Sequence, residues 1–212
     1  MEILSIQVGV PSEYGDDAAT DPQDRRWFTG FYKTPITGPV EVQALGLVGD
    51  GQADPRFHGG PDKAVLAYSA DHYPAWRDEL GIPEMTGGGF GENLTITGLT
   101  EHNVCIGDVY QVGEVIFQVT QPRQPCWKLA RRWKWPELPK IVIRTNRCGW
   151  YFRVLQPGII TAPTPIILTE RPAAEWTIVR ANSVMYAKER SLERAVLADL
   201  PWLSDEWRRD LQ

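Results

Sequence analysis

Short apolar runs, each closed by a glycine, a proline or a polar turn, set the strongest limit on what this chain can fold into. "ILSIQVG" (3–9), "WFTGFYKT" (27–34), "VEVQALGL" (40–47), "AVLAY" (64–68), "NLTIT" (93–97), "DVYQVG" (108–113), "VIFQVTQ" (115–121), "GWYFRVL" (149–155), "GIITA" (158–162) and "PIILTE" (165–170) alternate or run apolar over a few residues, as strands do. Gly98, Gly107, Gly113 and the Gln156-Pro157-Gly158 turn punctuate them. Helical stretches between the runs are few, so strands do not alternate with crossover helices. That favours a barrel over a doubly wound parallel sheet.

Three helices are expected inside this region. "SADHYPAWRDELG" (69–81) has Ser69 or Asp71 as its cap, Pro74 in its first turn and Gly81 as its stop. "PCWKLARRW" (125–133) opens a second and "PELPKIVIRTN" (136–146) a third, while residues 11–26 read as a polar loop. After Arg171-Pro172 the texture turns helical, with Thr177, Ser191 and Ser204 as N-caps of three short helices. The expected architecture is mainly β: a β-barrel domain with a few short helices over residues 1–172, then a three-helix appendage over 173–212.

Composition narrows function. A net charge of −5 argues against nucleic acid as the main partner. Three cysteines without a CxxC make a poor disulfide framework and a poor zinc site. No run reaches the roughly 20 apolar residues of a membrane span, and the N-terminal stretch lacks the basic and apolar regions of a signal peptide. A reduced, cytoplasmic protein is the expectation.

Charge distribution says more than the total. From Arg123 to Arg147 there are eight basic residues, opposed only by Glu137, so this segment carries +7 and the remainder −12. A solvated basic face is the ordinary meaning of such a cluster. Inside it, however, lies "TQPRQPCWKLARRWKW" (120–135). Pro125 suits the first position of a helix, which puts Cys126 at the second, over unpaired N–H groups. That setting, with Lys128, Arg131 and Arg132 nearby, favours a thiolate, which is a nucleophile or a soft-metal ligand. Cys105 reads as core and Cys148 as ambiguous.

Two glycine-rich turns add to this. In "GLVGDGQADPRFHGGPDKAV" (46–65), His58-Gly59-Gly60-Pro61 can aim successive N–H groups at an anion, with Arg56 and Lys63 adding charge. "GGGFGENL" (87–94) permits close backbone approach and carries Glu92 and Asn93. It is not a dinucleotide fingerprint, because the spacing fails and a strand follows.

Together, these stretches resemble the MOSC domain family, specifically its YiiM-like branch. The resemblance is carried by Gly46-Leu47-Val48-Gly49-Asp50, by His58-Gly59-Gly60-Pro61-Asp62-Lys63-Ala64-Val65, by Phe90-Gly91-Glu92-Asn93-Leu94 and by Gly107-Asp108. Its strongest part is Gln121-Pro122-Arg123-Gln124-Pro125-Cys126-Trp127-Lys128-Leu129, followed by Gly149-Trp150-Tyr151 and the Pro157-Gly158 turn. Thr120 stands where the family usually has serine, and residues 11–26 match no family motif.

The resemblance implies a barrel that binds the molybdenum cofactor, Mo-molybdopterin, with Cys126 as the protein ligand to the metal. It implies reduction of N-hydroxylated compounds such as hydroxylaminopurine base analogues, by two electrons and with loss of water. Catalytic roles are then expected of Cys126, Glu92 and Asp50. Cofactor binding is expected of His58, Gly59, Gly60, Asp62, Lys63, Asn93, Arg123, Pro125, Lys128 and Arg147. Among the basic residues, Arg123 and Arg147 are the expected phosphate holders, with Lys128, Arg131 and Arg132 acting through the field. Electrons are expected from a separate reductase, since the chain has no nucleotide fingerprint. The expected partners are a small N-hydroxylated substrate and that donor, with no nucleic acid and no membrane; a homodimer is left open. Two other readings stay open: a cofactor or sulfur carrier with Cys126 as the persulfide or transfer site, and a barrel that only binds an anion.

Overall fold

β1 (Glu2–Val8) starts with Ile3 buried between exposed Glu2 and Leu4, and after an irregularity between Ile3 and Ser5 it buries Ile6, Gln7 and Val8 in succession. The computed structural model describes every residue of the chain except Lys188 and Arg190. β2 (Ser12–Tyr14) pairs with β3 (Trp27–Thr29) in a ribbon of their own. β4 (Thr34–Pro35) lies beside β1. β5 (Val40–Gln43) and β6 (Gly46–Leu47) form a hairpin. β7 (Val65–Ser69), β8 (Leu94–Thr97), β9 (Val109–Val112), β10 (Val115–Pro122) and β11 (Trp150–Gln156) build the centre. β12 (Gly158–Ile160), β13 (Thr164–Pro165) and β14 (Ile167–Glu170) follow.

The main sheet runs β13-β1-β8-β7-β11-β10-β9-β14, and β7–β8 is its parallel pair. It curls into a half-barrel, with 29% of residues in strands against 24% in helices, so the mainly β expectation holds while the barrel stays half closed. The path ends at β13, a two-residue strand whose Pro165 has no N–H to offer a further neighbour. Aromatic side chains pack on both faces of the sheet: Phe152 shares a face with Val65 and Ala67, and Tyr68 lies on the other. Phe117 and Phe152 meet across β10 and β11 at 5.2 Å, and Tyr68 stacks on Phe90 at 4.1 Å. Burying each such ring stabilises the fold by about 1.5–3 kcal/mol.

Helices form where the sequence marks them, and their caps differ in detail. α1 (Tyr73–Leu80) has Pro74 in its first turn and ends on Gly81, at φ 65°. Neither Ser69 nor Asp71 caps it; a short 3₁₀ turn at Ala70–His72 precedes it, and Asp71 accepts instead from Thr97 Oγ1 and the Gly98 amide. α2 (Trp127–Trp133) and α3 (Leu138–Thr145) lie between β10 and β11. α4 (Ile178–Met185), α5 (Leu192–Ala198) and α6 (Asp205–Leu211) form the C-terminal three-helix group. Thr177 and Ser204 cap α4 and α6 through their side chains, accepting from the Arg180 and Trp207 amides. Ser191 occupies the N-cap of α5 without that bond. The stretch 11–26, read as loop, contributes β2. Among the described residues no helix is long and apolar enough to cross a membrane.

Candidate functional site

A bulge in β10 organises the site. The register with β11 slips between Val119 and Gln121, passing Thr120, and such an extra residue bends a strand. Thr120 Oγ1 donates to the Asp62 carbonyl at 2.6 Å and to the Tyr151 carbonyl at 3.2 Å, tying the His58–Lys63 turn to the sheet. The chain leaving β10 is pinned by the Arg123 amide, which donates to the Gly149 carbonyl at 3.0 Å. Gly149 must be glycine: its φ is +78° and a Cβ there would stand 2.4 Å from the Ala67 carbonyl oxygen.

These constraints bring segments distant in sequence onto one concavity. An inner pocket is bordered by His58 and Gly59, by Gly91 and Asn93, and by Arg123, Cys126 and Lys128. Asp50, Lys33, Lys63 and Tyr151 also contribute to its wall. A larger outer cleft shares His58, Lys63, Cys126, Lys128 and Tyr151 with it, and adds Pro125, Trp127, Phe57 and Glu206. Cys126 thus stands on the boundary, half-buried and with a free thiol. Gly59, at φ +118°, gives the turn a shape that a side chain would strain.

The pocket wall is cationic. Arg123 is 4% exposed, and its Nη1 has no hydrogen-bond partner. A buried donor of that kind costs free energy unless something accepts from it. His58 reports the same field. Burial, then the charges of Lys128, Arg123 and Lys63, push its imidazole down to about 4, so it is neutral at pH 7. Lys63 donates to the Phe57 carbonyl at 2.8 Å and pairs with Glu206 of α6. Lys33 is buried against Asp50, and burial holds its ammonium below the usual lysine range despite that partner. The Arg123 guanidinium faces the Tyr151 hydroxyl, which burial pushes up to about 12.

Several residues expected at the site are placed elsewhere or otherwise engaged. Glu92 is fully buried and does not border the pocket. Its carboxylate accepts from Tyr73 Oη (2.5 Å), the Gly88 amide (2.7 Å), the Phe90 amide (3.0 Å) and Thr95 Oγ1 (3.0 Å), which shapes the 87–91 loop. All four donors lie within the fold, so the carboxylate is engaged away from the pocket. Asp50 does border the pocket, yet it accepts from the Gly9 amide, Asn93 Nδ2 and Lys33. Asp62 points away, accepting from Arg153 Nε at 3.1 Å and from the Asp205 amide at 3.1 Å. Gly60 caps the Pro61–Lys63 turn and is not a lining residue. Arg147 sits over Trp76, its Cζ 3.9 Å from the ring centre, and is held by Glu79. Lys128, expected to act through the field, borders both compartments. Cys126 is the N-cap of α2, in extended geometry, not its second residue. Pro125 therefore precedes the helix and borders the outer cleft.

Other contributors were not legible in advance. Arg131 sits over Trp27 at 5.0 Å and Arg132 over Tyr32 at 4.6 Å, while Tyr14 stacks on Tyr32 at 4.1 Å. The segment around 11–32 is thus an aromatic partner for the α2 arginines. Glu206, Lys33 and Gln52 had no local signal; Tyr151 lay in a quoted motif without a role. Cys105 and Cys148 are buried, with burial raising the first thiol to about 11 and the second well above its ordinary range.

Chemically, the arrangement is a free thiol beside a buried guanidinium with one unpartnered nitrogen, three lysines and a neutral imidazole. It fits an anionic ligand that offers a soft centre to sulfur. Among the described residues no group of three or more His, Cys, Asp or Glu is arranged to hold a metal ion. A metal at Cys126 would therefore bring most of its ligands with it, as a pterin dithiolene does.

Comparison with known proteins agrees with the fold. The sequence profile of the MOSC domain matches residues 54–166. The uncharacterized protein YflK of Bacillus subtilis (strain 168) is 40% identical over 208 residues, covering 97% of this chain and 90% of that protein. A protein of Gibberella moniliformis named "Reductase" is 44% identical over 168 residues, which cover 77% of this chain and 30% of that one. The crystal structure of YiiM from Geobacillus stearothermophilus superposes with a TM-score of 0.82 at 38% identity, covering 99% of this chain and 96% of that one.

Proposed function

The chain belongs to the MOSC domain family, and from that premise we propose that it is a molybdenum-cofactor-dependent reductase of N-hydroxylated compounds, hydroxylaminopurine-type base analogues among them. One observation carries this reading: a free, half-buried thiol and a buried guanidinium with an unpartnered Nη1 border the same pocket. Cys126 would bind the metal. Arg123 and Lys128 would hold the anionic groups of the cofactor, and the Gly59 turn would approach them by its backbone. His58, neutral, would give or accept a hydrogen bond without adding charge. Asn93 stiffens the wall, since its Nδ2 donates to Asp50 and its Oδ1 accepts from the Leu66 amide. When bound, the cofactor supplies a metal centre able to deliver two electrons to an N–O bond. The outer cleft gives substrate a route to the Cys126 side of the pocket. The Gibberella relative named "Reductase" supports redox chemistry, with electrons coming from a separate donor protein.

The test is metal content and activity of protein made in a cofactor-competent host. Cys126→Ser should lose molybdenum, pterin fluorescence and N-hydroxy reduction while keeping its melting temperature, because a hydroxyl is nearly isosteric but a poor ligand for a soft metal. Cys105→Ser should keep all three. Full activity in Cys126→Ser would sink the assignment. Thiol-labile sulfur without molybdenum would move Cys126 to the carrier role.

A further inference from the structure

Reduction of an N-hydroxy compound consumes protons as well as electrons: R–NHOH with two electrons and two protons gives R–NH₂ and water. Hydroxide is a poor leaving group, so a proton delivered to the oxygen as the N–O bond breaks lowers the barrier. The acids that the motifs suggested are withdrawn from this task. Glu92 is off the pocket, saturated by four donors, and Asp50 holds three donors of its own. His58 borders both compartments, but as a neutral imidazole it has no acidic proton to give. Lys63 is committed to the Phe57 carbonyl and Glu206. Lys128 is free to give a proton, but doing so would strip positive charge from an anionic ligand during turnover.

Resting on the reading above, we propose that the Tyr151 hydroxyl is the proton donor to the departing oxygen. Tyr151 borders both the inner pocket and the outer cleft, as Cys126 does. It sits at the centre of the sheet, paired with Gln121 of β10 on one side and Leu66 of β7 on the other, so its position is fixed by two neighbouring strands. Burial pushes the Tyr151 hydroxyl up to about 12, and the Arg123 guanidinium facing it works the other way, so a phenolate formed there meets a positive charge already in place. In the step, the N–O bond breaks and its oxygen takes the phenolic proton to leave as water. The nitrogen takes the electron pair and a proton from solvent. Both electrons come from a reductant outside the chain, and the phenolate is reprotonated from water in the outer cleft.

Tyr151→Phe is a clean test, since strand pairing at this position is made by the backbone. The loaded variant is compared with wild type for molybdenum and pterin content, and for reduction by reduced methyl viologen. Two substrates are used: a free N-hydroxy compound, and its O-acyl derivative, whose carboxylate leaves without needing a proton. The expected result is unchanged molybdenum and pterin, a loss of about a hundredfold or more in kcat on the free hydroxylamine, and a near wild-type rate on the O-acyl compound. Equal rates of variant and wild type on the free hydroxylamine would overturn the proposal. So would loss of molybdenum from the variant, which would make Tyr151 a cofactor-holding residue. Wild-type protein with neither molybdenum nor reductase activity would instead sink the reading on which the proposal rests.

Discussion

Arg123 and Arg147 bracket the basic segment, and each lies beside an end of the β10–β11 pair. Arg123 is held at the end of β10 by its amide bond to the Gly149 carbonyl, borders the pocket, and keeps Nη1 unpartnered. Arg147 also leaves Nη1 bare, but it faces α1: its guanidinium covers Trp76, and its Nη2 donates to both Glu79 oxygens at 2.9 and 2.8 Å. Sequence proximity to the cysteine motif or to the Gly149 turn does not separate them. What separates them is whether the fold has already supplied an anion. A guanidinium with a carboxylate and an aromatic face in hand has little to offer a ligand, whereas one buried against a pocket without such a partner has everything to gain from one.

The largest expected effect tests that contrast directly. Arg123→Ala should weaken cofactor retention about ten- to a hundredfold, the equivalent of roughly 1.5–3 kcal/mol for a charge-assisted hydrogen bond. Arg147→Ala should retain cofactor like wild type. Molybdenum content after dialysis at two salt concentrations measures both, and equal losses would erase the distinction.

A second, smaller effect sharpens it. Arg123 is among the charges that hold His58 down, and Arg147 is not. NMR titration should find His58 near 4 in the wild type, higher in Arg123→Ala, and unmoved in Arg147→Ala. The sign for stability follows from a folded value below the unfolded one of roughly 6.5: the native state binds fewer protons there. The contribution of His58 is therefore complete above that unfolded value and is lost as pH falls through about 4. His58→Gln should flatten this acid limb in urea titrations; an unchanged limb would remove His58 from the account.

The smallest effect belongs to Arg147 itself. Arg147→Ala gives up a cation–π contact and a partly exposed ion pair, and should cost about 1 kcal/mol of stability in urea unfolding. A loss of several kcal/mol would mean that the Trp76 face depends on this residue far more than the contact suggests.

Local signals read well because their causes are local. Strand alternation, Gly81 as a helix stop, and Thr177 and Ser204 as caps depend on neighbours within a few residues. The glycine turn, the Asn93 loop and the Cys126 motif were recognisable one by one, and the pocket does gather parts of all three. Roles inside the motifs were less legible. Glu92 and Asn93 are adjacent in sequence and point into different environments, one into four internal donors, the other into the pocket wall. The two precede β8 in a bent loop, and which side chain meets the pocket there depends on what packs behind it.

A strand-rich fold with a helical end, a cysteine set among cations, and glycines where the backbone must turn tightly are all legible along the chain. Those properties follow from residue chemistry and short-range periodicity. Which charges remain for a ligand emerges only on folding. Lys33 meets Asp50, Arg147 meets Glu79, Lys63 meets Glu206, and Asp62 receives the amide of Asp205, 143 residues further on. A charge is neutralised by whatever lies within a few ångströms of it, and folding, not position in the chain, sets that distance.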